Sequence, residues 1–218
     1  YFNPSSPLSE KDEAALMRRI TAGLPEGIHL ELDGHFPAML SYKMKNYALL
    51  KGKGELLIKG SGLRSRGLER FQRQWMEEMF LLLLHGRRDA VEKLYQDFRA
   101  AIERHELPVK LLMKTETLQE SPQSYQEKVR AKKRNVSASY ELALRSEKNF
   151  QAGDQVSYYV TGTSRKIKVH QACKLAAEWD PKHPDENVDY YLSKLEELHE
   201  KFRPFIEAEP GQPVAVEE

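Results

Sequence analysis

The sequence has few of the features on which several classes of protein depend. Cys173 is the single cysteine among 218 residues, so no disulfide can form within the chain. The longest apolar run, residues 79–84, is far shorter than the ~20 residues needed to cross a bilayer. We therefore expect no membrane partner, and the low cysteine content fits a reducing, cytoplasmic location.

Motifs for common catalytic chemistry are also missing. The seven histidines show no short metal-ligand spacing, and the glycines at 60, 62 and 67 do not fit a dinucleotide-binding fingerprint. No phosphate-binding Gly-x-x-x-x-Gly-Lys-Ser/Thr loop occurs. Cys173 lies in an Ala-Cys-Lys-Leu-Ala run, which is more typical of a small buried hydrophobe than of a catalytic thiol. The sequence therefore predicts no catalytic residue, metal site or cofactor in this chain.

Positive charge is instead concentrated in residues 42–73. This stretch holds nine lysines and arginines against two glutamates, a net charge of +7, whereas the whole chain carries only +1. Glycines and the aromatic residues Tyr42 and Tyr47 lie between the cations. Such a stretch suits a polyanionic backbone better than a small metabolite. A solvated basic hairpin would show the same pattern, so both interpretations stay open at this point.

Charge also separates the later parts of the chain. A second basic cluster spans residues 128–134, and it is either a nucleic-acid contact or a solvated run before a helix. Residues 180–218 contain eleven acids and four bases, a net charge of −7. We expect this acidic region to face away from any polyanion.

Hydrophobic periodicity predicts an α+β fold with a strand-rich first part and a mostly helical remainder. Helices are expected over residues 9–22, between Gly67 and Gly86, from 91 to 102, over 135–148, and from 188 to a break at Pro204. Strands are expected over residues 28–32, 39–50, 55–59, 155–160 and 166–169, with turns at 51–54 and around Gly162. Trp75 and Trp179 are expected to anchor the core.

Four motifs in order resemble those of family B DNA polymerases. Lys45-Asn46-Tyr47-Ala48 is similar to the Lys-x-Tyr motif of the palm, and residues 59–66, KGSGLRSR, are similar to the Lys-Gly…Arg-Arg segment between palm and thumb. Residues 153–160, GDQVSYYV, resemble a thumb strand. Residues 177–181, AEWDP, followed by 189–191, DYY, resemble the closing segment of the family. The resemblance extends over roughly residues 28–205.

The resemblance implies a domain organisation. Residues 1–66 would form the C-terminal part of a polymerase palm with a small antiparallel sheet, and residues 67–206 a mostly helical thumb with a β-hairpin. Residues 207–218 are expected to be a disordered acidic tail, because they contain little apolar surface to offset the entropy of ordering.

The resemblance and the charge together predict a set of DNA-binding residues: Lys45, Tyr47, Lys59, Arg64, Arg66, Lys114, Lys132, Lys133 and Arg134. On a strand, Lys45 and Tyr47 would point to the same side because they are two residues apart. Lys114 opens a segment that resembles a thumb segment of the form Thr-Arg-Pro-Leu, in which Glu116 stands where the family usually has arginine.

The resemblance also implies a reaction and its partners. In the family, two Mg²⁺ ions held by palm aspartates support nucleotidyl transfer from a nucleotide to a primer. No Asp-x-Asp pair occurs in this sequence. We therefore expect the catalytic aspartates to lie outside the chain, and the chain alone to be inactive. Its expected partners are the primer–template duplex and the rest of a polymerase, namely the exonuclease-like domain, the fingers and the catalytic palm.

Two other interpretations stay open from the sequence. The chain could be a free-standing, non-catalytic nucleic-acid-binding module, or a helical scaffold whose basic stretch faces an acidic protein. A role in replication and a role in repair are equally compatible with the resemblance.

Overall fold

The computed structural model of the chain describes residue 6, residues 8–64 and residues 67–208. These residues form seven α-helices, one short 3-10 helix and six strands in two antiparallel sheets. The chain divides into two compact units, Tyr1–Phe36 and Pro37–Glu218. The mixed helix and strand content confirms the predicted α+β class.

The first unit contains helix α1, Glu10–Ala22, as predicted. Its first turn is capped by Ser9, whose hydroxyl accepts a hydrogen bond from the Asp12 backbone amide at 3.3 Å. The predicted strand over residues 28–32 is wrong, because this segment has no regular structure. An alternating apolar pattern forms a strand only where a second strand takes up its backbone hydrogen bonds. No described strand pairs with this segment.

The second unit begins with sheet β1-β2-β3, which consists of Ala38–Lys43, Asn46–Leu50 and Leu56–Lys59. The predicted turn at residues 51–54 is confirmed by a 2.9 Å bond from the Gly54 amide to the Lys51 carbonyl. The single strand predicted over residues 39–50 is wrong, because the chain reverses at Met44 and Lys45. Lys45 adopts a left-handed conformation with φ of 63°, which no strand residue can keep.

Three helices share one hydrophobic core with this sheet: α2, Arg70–Leu84; α3, Asp89–Glu103; and α7, Val188–Glu207. The predicted apolar positions of α2 form the core, with Phe71, Trp75 and Met79 fully buried. The predicted end of α7 at Pro204 is wrong, because the helix continues for three further residues. Phe202 and Phe205 are buried on either side of Pro204, and this packing offsets the backbone hydrogen bond that proline cannot donate.

A second sheet and its helices lie between α3 and α7 in the sequence. Its strands are β4, Lys114–Thr117, β5, Gln155–Val160, and β6, Cys173–Leu175, in the order β4-β5-β6. The accompanying helices are α4, Val109–Leu112, α5, Pro122–Arg130, and α6, Ala138–Arg145, with a 3-10 turn at Ala176–Glu178. Helix α6 confirms the helix predicted over residues 135–148, with shorter bounds.

The strand predicted over residues 166–169 is wrong, because β5 pairs with β6 instead. Residues 168–171 form a turn in which the Gln171 amide donates to the Lys168 carbonyl at 2.8 Å. Cys173 on β6 belongs to a second hydrophobic core with Leu118, Tyr125 and Phe150. Burial raises the pKa of the Cys173 thiol, as expected of a core residue.

Candidate nucleic-acid interface

The β1–β2 turn projects its side chains into solvent. Lys45 is exposed there, and the neighbouring Met44 is 84% exposed, the highest value among the large apolar residues of the described chain. The Lys45 backbone amide donates to the Tyr47 hydroxyl at 3.1 Å, so this phenol lies back against the turn. Lys45 and Tyr47 are therefore related by the turn and not by strand alternation, which corrects the predicted geometry.

Asn46 connects this turn to the loop that follows β3. Its side-chain amide donates to the Met44 carbonyl at 2.9 Å and accepts from the Gly62 backbone amide at 2.7 Å. Gly60 adopts φ of 101°, and a Cβ there would lie 2.2 Å from the Lys45 carbonyl oxygen. Glycine at position 60 thus lets the loop approach the turn, and Asn46 holds the two segments together. No feature of the sequence marked Asn46 for this role.

Two of the predicted site residues lie at the end of β3 and in the loop that follows it. Lys59 pairs across the sheet with Tyr47, and the Arg64 amide donates to the Gly60 carbonyl at 3.2 Å. Leu63 is buried in the core at 1% exposure, so the loop is anchored immediately before the exposed Arg64. We call residues 43–47 and 59–64 the basic hairpin unit, and it brings together Lys45, Tyr47, Lys59 and Arg64. Arg66 lies outside the described residues.

Lys114 has a different environment. Its ammonium group lies 3.0 Å from Oε1 of Glu69, whose side chain is only 1% exposed. The same oxygen accepts a hydrogen bond from the Tyr190 hydroxyl at 2.9 Å. Burial and the Glu69 carboxylate raise the pKa of Tyr190, so this phenol stays neutral and remains a donor. Lys114 thus balances a buried charge and connects β4 to the start of α2.

Arg134 is also engaged by the protein. It forms an ion pair with Glu120, and its guanidinium lies 4.5 Å from the Tyr140 ring centroid. Glu120 additionally accepts from Lys128 at 2.6 Å and from the Ser124 hydroxyl at 2.5 Å. Hydrogen bonds from Lys128, Ser124 and Arg134 lower the pKa of Glu120 to about 2. This charge cluster holds the end of α5 against the second core.

Lys128 and Arg130 of the second basic cluster are exposed, and so are Lys132 and Lys133. Lys132 and Lys133 follow α5 in a turn where Lys132 adopts φ of 56°. Neither side chain is paired with a carboxylate within residues 8–64 and 67–208. In the second cluster, Lys128 and Arg134 are therefore held by Glu120, whereas Lys132 and Lys133 have no carboxylate partner among the described residues.

Glu116 has a structural environment that the sequence did not reveal. Its carboxylate accepts hydrogen bonds from the Tyr158 hydroxyl at 2.7 Å and the Ser139 hydroxyl at 2.6 Å. Burial and the Glu116 carboxylate raise the pKa of Tyr158. The donors are 42 and 23 residues from Glu116, so local spacing carried no signal of this arrangement.

Two other kinds of site can be considered in the described part of the chain. No group of three or more histidine, cysteine or acidic side chains is arranged there to hold a metal ion. Among these residues there is also no helix that is both long and apolar enough to cross a membrane.

Comparisons with known proteins agree with the motifs. The sequence profile of DNA polymerase family B matches residues 13–202. A DNA polymerase of Pyrococcus glycovorans is 25% identical over 181 residues, a match that spans 79% of this chain and 22% of that protein. The fold is similar to the family B DNA polymerase from the hyperthermophilic archaeon Pyrobaculum calidifontis, with a TM-score of 0.66 and 16% identity. That likeness covers 96% of this chain and 26% of the archaeal one, so the chain spans about a quarter of these relatives.

Proposed function

The chain belongs to DNA polymerase family B, and on that premise we propose that it holds the primer–template duplex as part of the palm and thumb of a DNA-directed DNA polymerase. In this proposal residues 1–66 belong to the palm and residues 67–206 to the thumb. The remaining partners are the exonuclease-like domain, the fingers and the catalytic palm of the same enzyme.

The basic hairpin unit is the observation that carries the proposal. Lys45 and Arg64 are exposed there, and no carboxylate is paired with either within the described ranges. Asn46 and Gly60 join their two segments, so the cations are presented on a defined backbone. Lysine and arginine neutralise phosphates without reading the base sequence. Such a surface suits an enzyme that must hold a duplex of any sequence.

In this proposal Lys114 and the cations of the second basic cluster have two different roles. Lys132 and Lys133 contact the phosphate backbone of the duplex, because they are exposed and have no carboxylate partner among the described residues. Lys114 and Arg134 contribute chiefly by holding the second sheet and its helices in place, because each pairs with a carboxylate.

The proposed reaction of the parent enzyme is nucleotidyl transfer to a primer, supported by two Mg²⁺ ions. The side chains in residues 8–64 and 67–208 do not fit such a metal site, since no suitable cluster of ligands occurs among them. The part of this chain in the reaction is to bind and orient the duplex. We expect the purified chain to incorporate no labelled nucleotide into a primed template, and incorporation above a no-protein control would contradict this assignment.

The salt dependence of duplex binding tests the proposal directly. With four or five phosphates neutralised, log affinity should fall with log salt at a slope of about −4, from ~0.9 per contact. The double variant Arg64→Gln and Arg66→Gln should flatten this slope by up to about two units. Fluorescence anisotropy of a labelled primer–template across a salt series measures both slopes.

A matched control separates this effect from a change in net charge. Lys93 and Arg99 pair with Asp97 at 2.6 Å and Glu103 at 3.2 Å, on helix α3. Replacing both by glutamine changes the charge equally and should leave the slope near that of the wild type. If the Arg64 and Arg66 variant kept the wild-type slope, these arginines would not face DNA, and a protein-binding role would be favoured.

A further inference from the structure

Two lysines from distant parts of the sequence meet at one aromatic ring. The Lys201 ammonium of α7 lies 4.9 Å from the centroid of the Tyr42 ring on β1. The Lys43 ammonium lies 5.9 Å from the same centroid. Phe202 and Phe205 pack on this ring at centroid distances of 5.3 and 5.8 Å. Tyr42 is thereby fixed as a partly buried surface with both cations near its ring.

The acidic residues of α7 pair with cations other than Lys201. Glu197, one helical turn before it, bonds to Lys194 at 2.7 Å. Glu200 bonds to Arg203 at 2.6 Å. No other carboxylate in residues 8–64 and 67–208 is paired with Lys201. Among the described residues, the faces of the Tyr42 and Phe202 rings lie close to its charge, at 4.9 and 5.3 Å from the ring centroids.

Two ammonium groups at one partly dehydrated surface repel each other. Burial, and then the positive charge of Lys43, lower the pKa of Lys201. An aromatic face attracts a cation, but it does not remove the repulsion between two of them. An anion that contacts both groups would do so.

We propose that Lys43 and Lys201 form a binding site for one phosphodiester group of the nucleic-acid backbone, with Tyr42 as its base. The site rests on the proposed function, since Lys43 belongs to the basic hairpin unit that is proposed to follow the same backbone. It adds a residue from α7, although the acidic net charge of residues 180–218 predicts that this region faces away from DNA. Lys201 would therefore contact the nucleic-acid backbone from a region whose other charged residues are mostly acidic.

The test compares Lys201→Gln with Lys182→Gln in the full chain by duplex anisotropy across a salt series. Lys182 is an exposed lysine of the same acidic region, so its loss changes the net charge equally. The slope should become flatter by about 0.9 for Lys201→Gln and stay unchanged for Lys182→Gln. The affinity advantage of the wild type over Lys201→Gln should fall roughly 3-fold between about 50 and 200 mM salt. Lys201→Arg should restore the wild-type slope.

A second measurement uses the wild type alone, and it decides the matter even where a variant fails to fold. NMR signals of ¹³C-methylated lysines should show Lys43 and Lys201 shifting on addition of duplex. A Lys201 signal that moves with inorganic phosphate but not with duplex would mean a free-phosphate site and would overturn the proposal. An identical slope for wild type and Lys201→Gln would overturn this site alone. Failure of the wild type to bind duplex would overturn the proposed function together with it.

Discussion

The two three-stranded sheets hold their basic side chains in different electrostatic surroundings. At sheet β1-β2-β3, Lys45 and Arg64 are exposed and have no carboxylate partner among the described residues. Around sheet β4-β5-β6, Lys114 pairs with buried Glu69, and Arg134 pairs with Glu120. A cation that already balances a protein carboxylate has less to gain from a phosphate. Basic residues that look alike in the sequence therefore divide into those that can hold a ligand and those that hold the fold.

Among the variants that probe the difference between the two sheets, Gly60→Ala should have the largest effect. We expect it to lower the free energy of unfolding by roughly 3 kcal/mol. The new Cβ would lie 2.2 Å from the Lys45 carbonyl oxygen, in a backbone conformation with φ of 101°. Gly54→Ala is the matched control, because Gly54 has φ of 78° but open space around its Cβ position. It should cost only about 1 kcal/mol. Equal losses in urea unfolding would mean that the turn and loop are not in close contact.

Lys114→Met should cost about 2 kcal/mol, because it leaves the buried Glu69 carboxylate without its cation, and the partial exposure of Lys114 limits the loss. Lys132→Met should stay within about 0.5 kcal/mol, as expected of an exposed lysine. Urea denaturation of both variants measures the difference. In duplex binding the larger effect should instead belong to Lys132→Met, which alone of the two variants should flatten the salt slope. A stable Lys114→Met variant with a flattened slope would contradict the assignment of Lys114 to the fold and not to the duplex.

The Glu120 charge cluster should make the second sheet region sensitive to acid. The Glu120 pKa of about 2 lies below the ordinary pKa of a glutamate side chain. The ionised carboxylate therefore contributes its full stabilisation at any pH above that ordinary pKa. The contribution is then lost as the pH falls through about 4 towards 2. Glu120→Gln should therefore be less stable than the wild type at neutral pH and should approach it in acid. A stability difference that is constant from pH 7 to pH 2 would show that Glu120 is not held by its cations.

Tyr47→Phe should have the smallest effect, about 0.5 kcal/mol, because it removes only the hydroxyl that accepts from the exposed Lys45 amide. The salt slope of duplex binding should not change, since a phenol carries no charge. Lys59→Gln, at the cross-strand position paired with Tyr47, is the contrasting variant. It should flatten the slope by about 0.9. A change of slope for Tyr47→Phe would show that the hydroxyl sets the position of the neighbouring cations.

The helices were the most predictable part of the molecule. The apolar spacing of Phe71, Trp75 and Met79 predicted α2, because residues three and four apart share one face of a helix. The turn at residues 51–54 was predictable from its glycines for a similarly local reason. The strand partners were not predictable, and β6 was missed because a strand is completed by a neighbour elsewhere in the sequence.

The sequence by itself determined the family, the positions of the main helices and the concentration of positive charge in residues 42–73. These properties depend on residue identity and on spacings of a few residues. Only the tertiary structure decided which cations are available, because their partners are distant in the sequence. Glu69 is 45 residues from Lys114 and yet lies 3.0 Å from it, and Lys43 and Lys201, 158 residues apart, both lie within 6 Å of the Tyr42 ring centroid. Electrostatic interaction depends on distance in space and on burial, which no local pattern records.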